Sequence, residues 1–150
     1  MFRFRQFSVS HSRSTMKVGT DGVLLGAWAE THSAQNILDI GTGCGLIALM
    51  AAQRNPTANV TAIDIDQASI DEATENFQAS PFAERLQALQ TDIQTFSTQP
   101  NAFQYDCILS NPPFFTETLL SPNPTRAAAR SVEGGLSFAA LIESAARLLT

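Results

Sequence analysis

The chemistry in this chain is most specific at Asn111-Pro112-Pro113-Phe114. An Asn side-chain carbonyl and a backbone carbonyl fixed by proline, held side by side, form a fork that accepts both hydrogens of an exocyclic or amide NH2 group. The Phe that follows offers a flat face for a planar ring. The tetrapeptide comes after an apolar run, Tyr105-Asp106-Cys107-Ile108-Leu109, that reads as a strand. The carboxyl end of a strand is where an open α/β sheet builds its site. Asn111, Pro112 and Phe114 are therefore the candidate catalytic residues of an enzyme acting on a planar amino group. The competing reading is a rigid turn with a buried Phe.

A second constellation lies upstream. Asp39-Ile40-Gly41-Thr42-Gly43-Cys44-Gly45 follows an apolar run and opens a helical pattern, so its glycines let the backbone approach a ligand where side chains would clash. The spacing is not Gly-x-Gly-x-x-Gly, and a purely structural tight turn stays open as an alternative. Asp64 lies ~20 residues further on, at a strand end, where a carboxylate can accept both hydroxyls of a ribose. Asp66 shares its face but reads as the cap of the next helix. Asp92 ends a third strand and can accept from an adenine amino group, with Ile93 packing on the ring. Each of these aspartates could also simply cap a helix. Thr20-Asp21 reads as a helix N-cap pair that adds polar side chains at a helix start.

The elements that must hold these groups alternate. Strands are predicted at 36–40, 60–66, 86–90 and 105–109, and helices at 22–29, 46–53, 67–79 and 136–149, with a polar loop over 115–131. Such alternation gives right-handed crossovers and a Rossmann-like parallel sheet, most simply in the order 3-2-1-4. The fourth strand would then be an edge, yet its apolar sequence suits a strand paired on both sides. A fragment, or a sheet completed by a partner, is the expectation.

Composition sets the outer limits. The 150 residues suit one folded unit, with residues 1–19 as a basic N-terminal arm or hairpin and 20–150 as the main domain. No run approaches a membrane span and the start lacks a secretory signal, so a soluble cytoplasmic protein is expected. Cys44, Cys107, His11 and His32 are isolated and suggest no metal site. The net charge is −5, but Arg3, Arg5, Arg13 and Lys17 fall in a stretch without carboxylates. Together with Arg126 and Arg130 in the loop, they are candidate contacts to RNA phosphates; an ordinary solvated face is the alternative for the arm.

Taken in order, Asp39 to Gly45, Asp64, Asp92 and Asn111 to Phe114 resemble the motifs of class I S-adenosylmethionine-dependent methyltransferases of the amino-methylating kind. More narrowly, Phe7-Ser8-Val9, the segment from Met16 to Ala29 and Asn111-Pro-Pro-Phe-Phe115 are similar to the bacterial tRNA1(Val) adenine N6-methyltransferase family. The resemblance implies S-adenosylmethionine as cofactor, tRNA as partner, no metal, a monomer when full length, and methylation of the adenosine 3′ of the anticodon. It also implies roles for Asp39 and the Gly41, Gly43 and Gly45 turn against the methionine moiety, bordered by Thr20 and Asp21. Asp64 would then face the ribose, Asp92 and Ile93 the adenine, and Asn111 and Phe114 the target base. The family continues with further strands, so this domain is expected to be incomplete at its C-terminus. Methylation of guanine N2 in ribosomal RNA or of a glutamine amide, or a non-catalytic nucleotide-binding fragment, are the alternatives.

Overall fold

In the computed structural model, residues 1–100, 102–112 and 136–150 are described. In chain order the elements are β1 (Phe2–Arg3), β2 (Ser8–Val9), α1 (Thr20–Trp28), β3 (Asn36–Ile40), α2 (Leu46–Arg54), β4 (Asn59–Asp64) and α3 (Gln67–Gln78). A short 3-10 turn at Ala83–Arg85 leads into β5 (Leu86–Gln90), followed by α4 (Ile93–Ser97), β6 (Cys107–Ser110) and α5 (Phe138–Leu148).

The central sheet has the order β5-β4-β3-β6 and every neighbouring pair is parallel. This is the expected 3-2-1-4 arrangement, and its cause is legible in the strands. In β3 the residues Ile37 to Ile40 are all buried, as are Val60 to Ile63 of β4, because helices cover both faces. β5 lies at one edge and is mostly exposed, which suits its Gln-rich sequence Leu86-Gln-Ala-Leu-Gln90.

Alternation along the strands splits the core into two layers. Ile37, Val60 and Ala62 face α2 and α3, in a cluster that includes Leu49, Ala73 and Phe77. Leu38, Ile40 and Ile63 face the other way, toward Ile93, Tyr105, Leu141 and Leu148. Leu38, Ile37, Ile63 and Leu49 are at most 1% exposed, and each contributes about 1.5–3 kcal/mol by burial. β1 and β2 form a small antiparallel hairpin, and Phe7 and Val9 insert into the first layer, so the N-terminal segment is docked on the body.

Three expectations need correction. Asp66 is not in the second strand, which stops at Asp64; it caps α3, accepting from the Ser69 backbone N–H at 3.0 Å. Tyr105 precedes β6 and bridges instead to Leu149, after α5. Thr20 and Asp21 are not a capping pair: Gly19 is the N-cap of α1, no side chain caps it, and Thr20 is already helical.

Candidate active site

The glycine turn sits between the carboxyl ends of β3 and β4. Gly41, Gly43 and Gly45 have φ of 71°, 55° and 82°, a region that costs L-residues strain. Two N–H groups of the turn, Gly41 and Thr42, donate to the Ile63 carbonyl at 2.9 and 3.0 Å, so the turn is stitched to the neighbouring strand. At Gly45 a Cβ would come within 2.5 Å of the Phe77 ring, so that glycine serves the packing of α2 on α3. At Gly41 a Cβ would meet nothing within 4 Å, which leaves open space above the turn for a ligand to approach the backbone.

Asp39 lies beneath this turn and is fully buried. The Thr42 hydroxyl donates to its Oδ2 at 2.6 Å, while Oδ1 has no geometric hydrogen-bond partner among the described residues. Burial pushes its carboxyl up to about 6, against the opposing pull of the Thr42 hydroxyl. Asp64, half-buried at the tip of β4, accepts from the Gly43 N–H at 2.9 Å through Oδ2 and from the Asp66 N–H at 3.0 Å through Oδ1. Each carboxylate oxygen has a further lone pair, so this clamp on the turn leaves acceptor capacity for a diol.

Asn111 is brought to the same place from the other side of β3. The Ser110 hydroxyl donates to the Ile40 carbonyl at 2.9 Å and ties the tip of β6 to the tip of β3. Asn111, half-buried, then lines a cavity of about 100 Å³ with Asp21, Gly41, Thr42, Leu46 and Met16. Its amide nitrogen lies 3.8 Å from where a Cβ on Gly22 would stand, at the start of α1. Asp21, Gly41 and Asn111 thus converge, and the cavity joins the glycine turn to the amide fork.

Other candidates stand elsewhere. Asp92 is exposed and caps α4, accepting from the Thr95 N–H at 2.8 Å, and the Thr95 side chain and backbone together hold its carboxyl below the usual range. Ile93, expected against a ring, is 3% exposed and belongs to the second core layer, so little of it is available to a ligand. Thr20 is exposed and not among the cavity-lining residues. Arg3 and Arg5 are exposed on the hairpin, Arg13 is engaged by Glu75, and Lys17 lines the cavity while donating to the His11 carbonyl at 3.3 Å. Pro112 is half-buried; Phe114, Arg126 and Arg130 lie outside the described residues.

Sequence reasoning had Thr42 only as part of the Gly41 to Gly45 loop, and assigned no site role to Met16 in the cavity or to Glu72 beside it. Glu72 is fully buried on α3. Burial opposes its charge, but the Ser14, Arg13 and Ser12 backbone N–H groups outweigh that and hold the carboxyl down at about 2. The available signal was helical spacing: Ser69, Glu72 and Asn76 follow one another along the face that also carries Ala73 and Phe77. Among the described residues no cluster of three or more His, Cys, Asp or Glu could hold a metal, and no helix is long and apolar enough to cross a membrane.

A parallel sheet with a glycine turn after its first strand, carboxylates at the strand ends and a cavity across the point where strand order reverses defines a doubly wound α/β protein of the ligand-binding type. The chain belongs to the methyltransferase small domain family, whose model matches residues 3–132. It is 51% identical over 148 residues to a tRNA1(Val) (adenine(37)-N6)-methyltransferase of Phocaeicola vulgatus, covering 99% of this chain and 61% of the relative. The Bacteroides fragilis protein of the same name is 46% identical over 149 residues, with 99% of this chain and 62% of the relative covered. The chain thus spans about three-fifths of the length of these curated relatives. Among solved structures it resembles a candidate RNA methyltransferase from Pyrococcus horikoshii (TM-score 0.58, 16% identity, 85% of this chain and 53% of that one). It also resembles cofactor-bound Rv0187 from MTB (TM-score 0.55, 19% identity, 67% and 47% covered). At these identities the structural likeness establishes the fold.

Proposed function

We propose that this chain forms the cofactor-binding and amino-recognising part of an S-adenosylmethionine-dependent methyltransferase that methylates N6 of an adenosine in tRNA, the one 3′ of the anticodon in tRNA(Val). The observation that carries this reading is the cavity in which Asn111 meets Asp21 and the glycine turn, in a chain of the methyltransferase small domain family. The names of the curated relatives supply the tRNA adenosine.

The residues present fit the cofactor. The open space above Gly41 and the unpartnered Oδ1 of buried Asp39 are what a ligand-binding turn leaves behind when its backbone is satisfied elsewhere. Gly41 and Thr42 would lie against the amino-acid end, Asp21 near its ammonium group, Asp64 at the ribose hydroxyls and Asp92 at the adenine amino group. S-adenosylmethionine supplies a methyl group already activated on a sulfonium, so the protein's task is alignment and not activation of the donor.

The acceptor needs more help. The lone pair of an adenine amino group is delocalised into the ring, and hydrogen bonds from N6 to the Asn111 carbonyl oxygen and the Pro112 backbone carbonyl favour a pyramidal nitrogen with that pair localised. The same acceptors offset positive charge as it develops on nitrogen, which is stabilisation aimed at the transition state. Asn accepts without titrating, and Phe114 would stack on the base for about 1–3 kcal/mol. An anticodon-loop base is partly unstacked already, so presenting it costs less than flipping a paired base. Arg3 and Arg5 on the exposed hairpin, with Lys17, Arg126 and Arg130, would meet phosphates.

Incubating bulk tRNA, ribosomal RNA and release-factor protein with the intact enzyme and S-adenosylmethionine, followed by mass spectrometry, tests this. Methyladenosine in tRNA is expected; methylguanosine or methylglutamine would transfer the fork to a different NH2 group.

A further inference from the structure

The cavity has a wall that comes from neither the sheet nor the glycine turn. Met16, Lys17 and Gly19 line it from the N-terminal segment, and Met16 packs so close to the turn that a Cβ on Gly43 would lie 3.3 Å from the Met16 Cβ and 3.5 Å from its carbonyl oxygen. No regular element spans the residues between β2 and α1, so something else must fix their path. That is Glu72. Its carboxylate accepts from the backbone N–H groups of Ser12 at 2.6 Å, Arg13 at 3.2 Å and Ser14 at 2.8 Å, and from the hydroxyls of Ser10 and Ser12, each at 3.1 Å. Three successive N–H groups converging on one anion make a nest, a geometry specific to a single backbone conformation.

Asn76, one turn further along α3, completes the hold. Its side chain accepts from the Ser10 N–H at 2.8 Å and donates to the carbonyls of Ser10 and of Cys44 in the glycine turn, both at 2.8 Å. One side chain therefore touches the segment and the turn together. At the end of the nest, the Ser14 hydroxyl donates to the carbonyl of Met16, two residues on, at 3.0 Å and directs the chain into the cavity wall.

We propose that Glu72 is a positioning residue for the cofactor: by gathering the N–H groups of Ser12 to Ser14 it shapes the segment that walls the cavity on the side of Met16. A buried carboxylate is a poor choice if only adhesion were needed, since apolar packing of equal volume holds segments together at least as well. What the carboxylate adds is a fixed backbone path, and the ligand reads that path. The inference rests on the reading of the cavity as the S-adenosylmethionine site.

The test is made on the intact protein with Glu72→Gln, in which one amide oxygen must serve donors that now engage two carboxylate oxygens and the amide NH2 opposes the N–H groups. Trypsin should cleave after Arg13 and Lys17 about tenfold faster without ligand, because opening of the segment becomes less costly. The KM for S-adenosylmethionine should rise about tenfold while kcat at saturating cofactor stays within about threefold, a split that general loss of folded protein does not produce. Ser12→Pro, which removes both the N–H and the hydroxyl that exposed Ser12 donates to Glu72 and leaves α3 untouched, should move both readouts in the same direction, and covers the case in which Glu72→Gln fails to fold. Faster cleavage with an unchanged cofactor KM would overturn the proposal, as would unchanged cleavage in both variants. Failure of the unsubstituted protein to bind S-adenosylmethionine in calorimetry would instead remove the cofactor reading on which the proposal stands.

Discussion

The two halves of the cavity are built differently. On the side proposed for the cofactor, the glycine turn is bound to β4 through the Ile63 carbonyl and the Asp64 carboxylate, to α3 through Asn76, and packed through Gly45 on Phe77. On the side proposed for the acceptor, Asn111 follows β6, the edge strand among the described residues, and the Ser110 hydroxyl is a side-chain tie that holds its tip to β3. A groove of about 500 Å³ runs beside that edge, lined by Ile108, Leu141 and Leu149. Among the described residues, the same sheet thus carries a turn held from several directions and an amide fork with fewer anchors. On the proposed reading, the donor half is held by several elements, whereas recognition of the acceptor would fall to one short tip.

On that division, the largest effect should come from the half with fewer anchors among the described residues. Asn111→Ala in the intact protein is expected to lower kcat by about 10²–10³, the cost typical of losing one preorganised polar group at a transition state. S-adenosylmethionine affinity should change less than about threefold, because the donor half has its own supports. A parallel collapse of cofactor binding in calorimetry would show that the two halves are one unit. The next effect attacks the anchored half. Gly45→Ala combines a left-handed backbone with a Cβ forced to 2.5 Å from Phe77, and should cost about 2–4 kcal/mol of stability in denaturant unfolding. A variant as stable as the parent would mean that α3 yields easily and that the turn is not braced as described.

The anchored half was also the more legible in the sequence. Continuous apolar runs in β3 and β4, a glycine turn between them and Asp64 at the next tip are local patterns, and each reports a local cause: burial on both faces, positive φ, a strand end. The order of strands followed from alternation alone. Glu72 and Asp106 were not legible, because their partners are backbone N–H groups far away in sequence. Asp106 accepts from Gln35 and Asn36 at 2.7 and 2.8 Å and Glu72 from Ser12 to Ser14, contacts that no period or spacing encodes. α4 escaped because five residues are too few to display a helical period. Thr20 and Asp21 looked like caps because their residue types favour that position, yet the chain enters α1 one residue earlier, at Gly19.

The smallest predicted effect compares two buried carboxylates that flank the turn. Asp39 is opposed by burial, which the Thr42 hydroxyl and the Ala48 backbone do not offset, and its carboxyl is pushed up to about 6, whereas Glu72 has a nest of N–H groups and is held at about 2. Their contributions to stability therefore run in opposite directions with pH. Folded Asp39 keeps its proton above the ordinary value of 3.8, so its contribution is complete below 3.8 and is lost as pH rises through about 6. Folded Glu72 stays ionised below the ordinary 4.5, so its contribution is present above 4.5 and is lost as pH falls through about 2. Asp39→Asn should consequently match the parent near pH 4 and exceed it by about 1–3 kcal/mol at pH 7. Urea unfolding at a series of pH values measures that difference, and a difference that stays constant from pH 4 to 7 would show that Asp39 is solvated or partnered in solution. Rescue of the parent's neutral-pH stability by S-adenosylmethionine, absent in Asp39→Asn, would add that the cofactor supplies the partner that Oδ1 lacks.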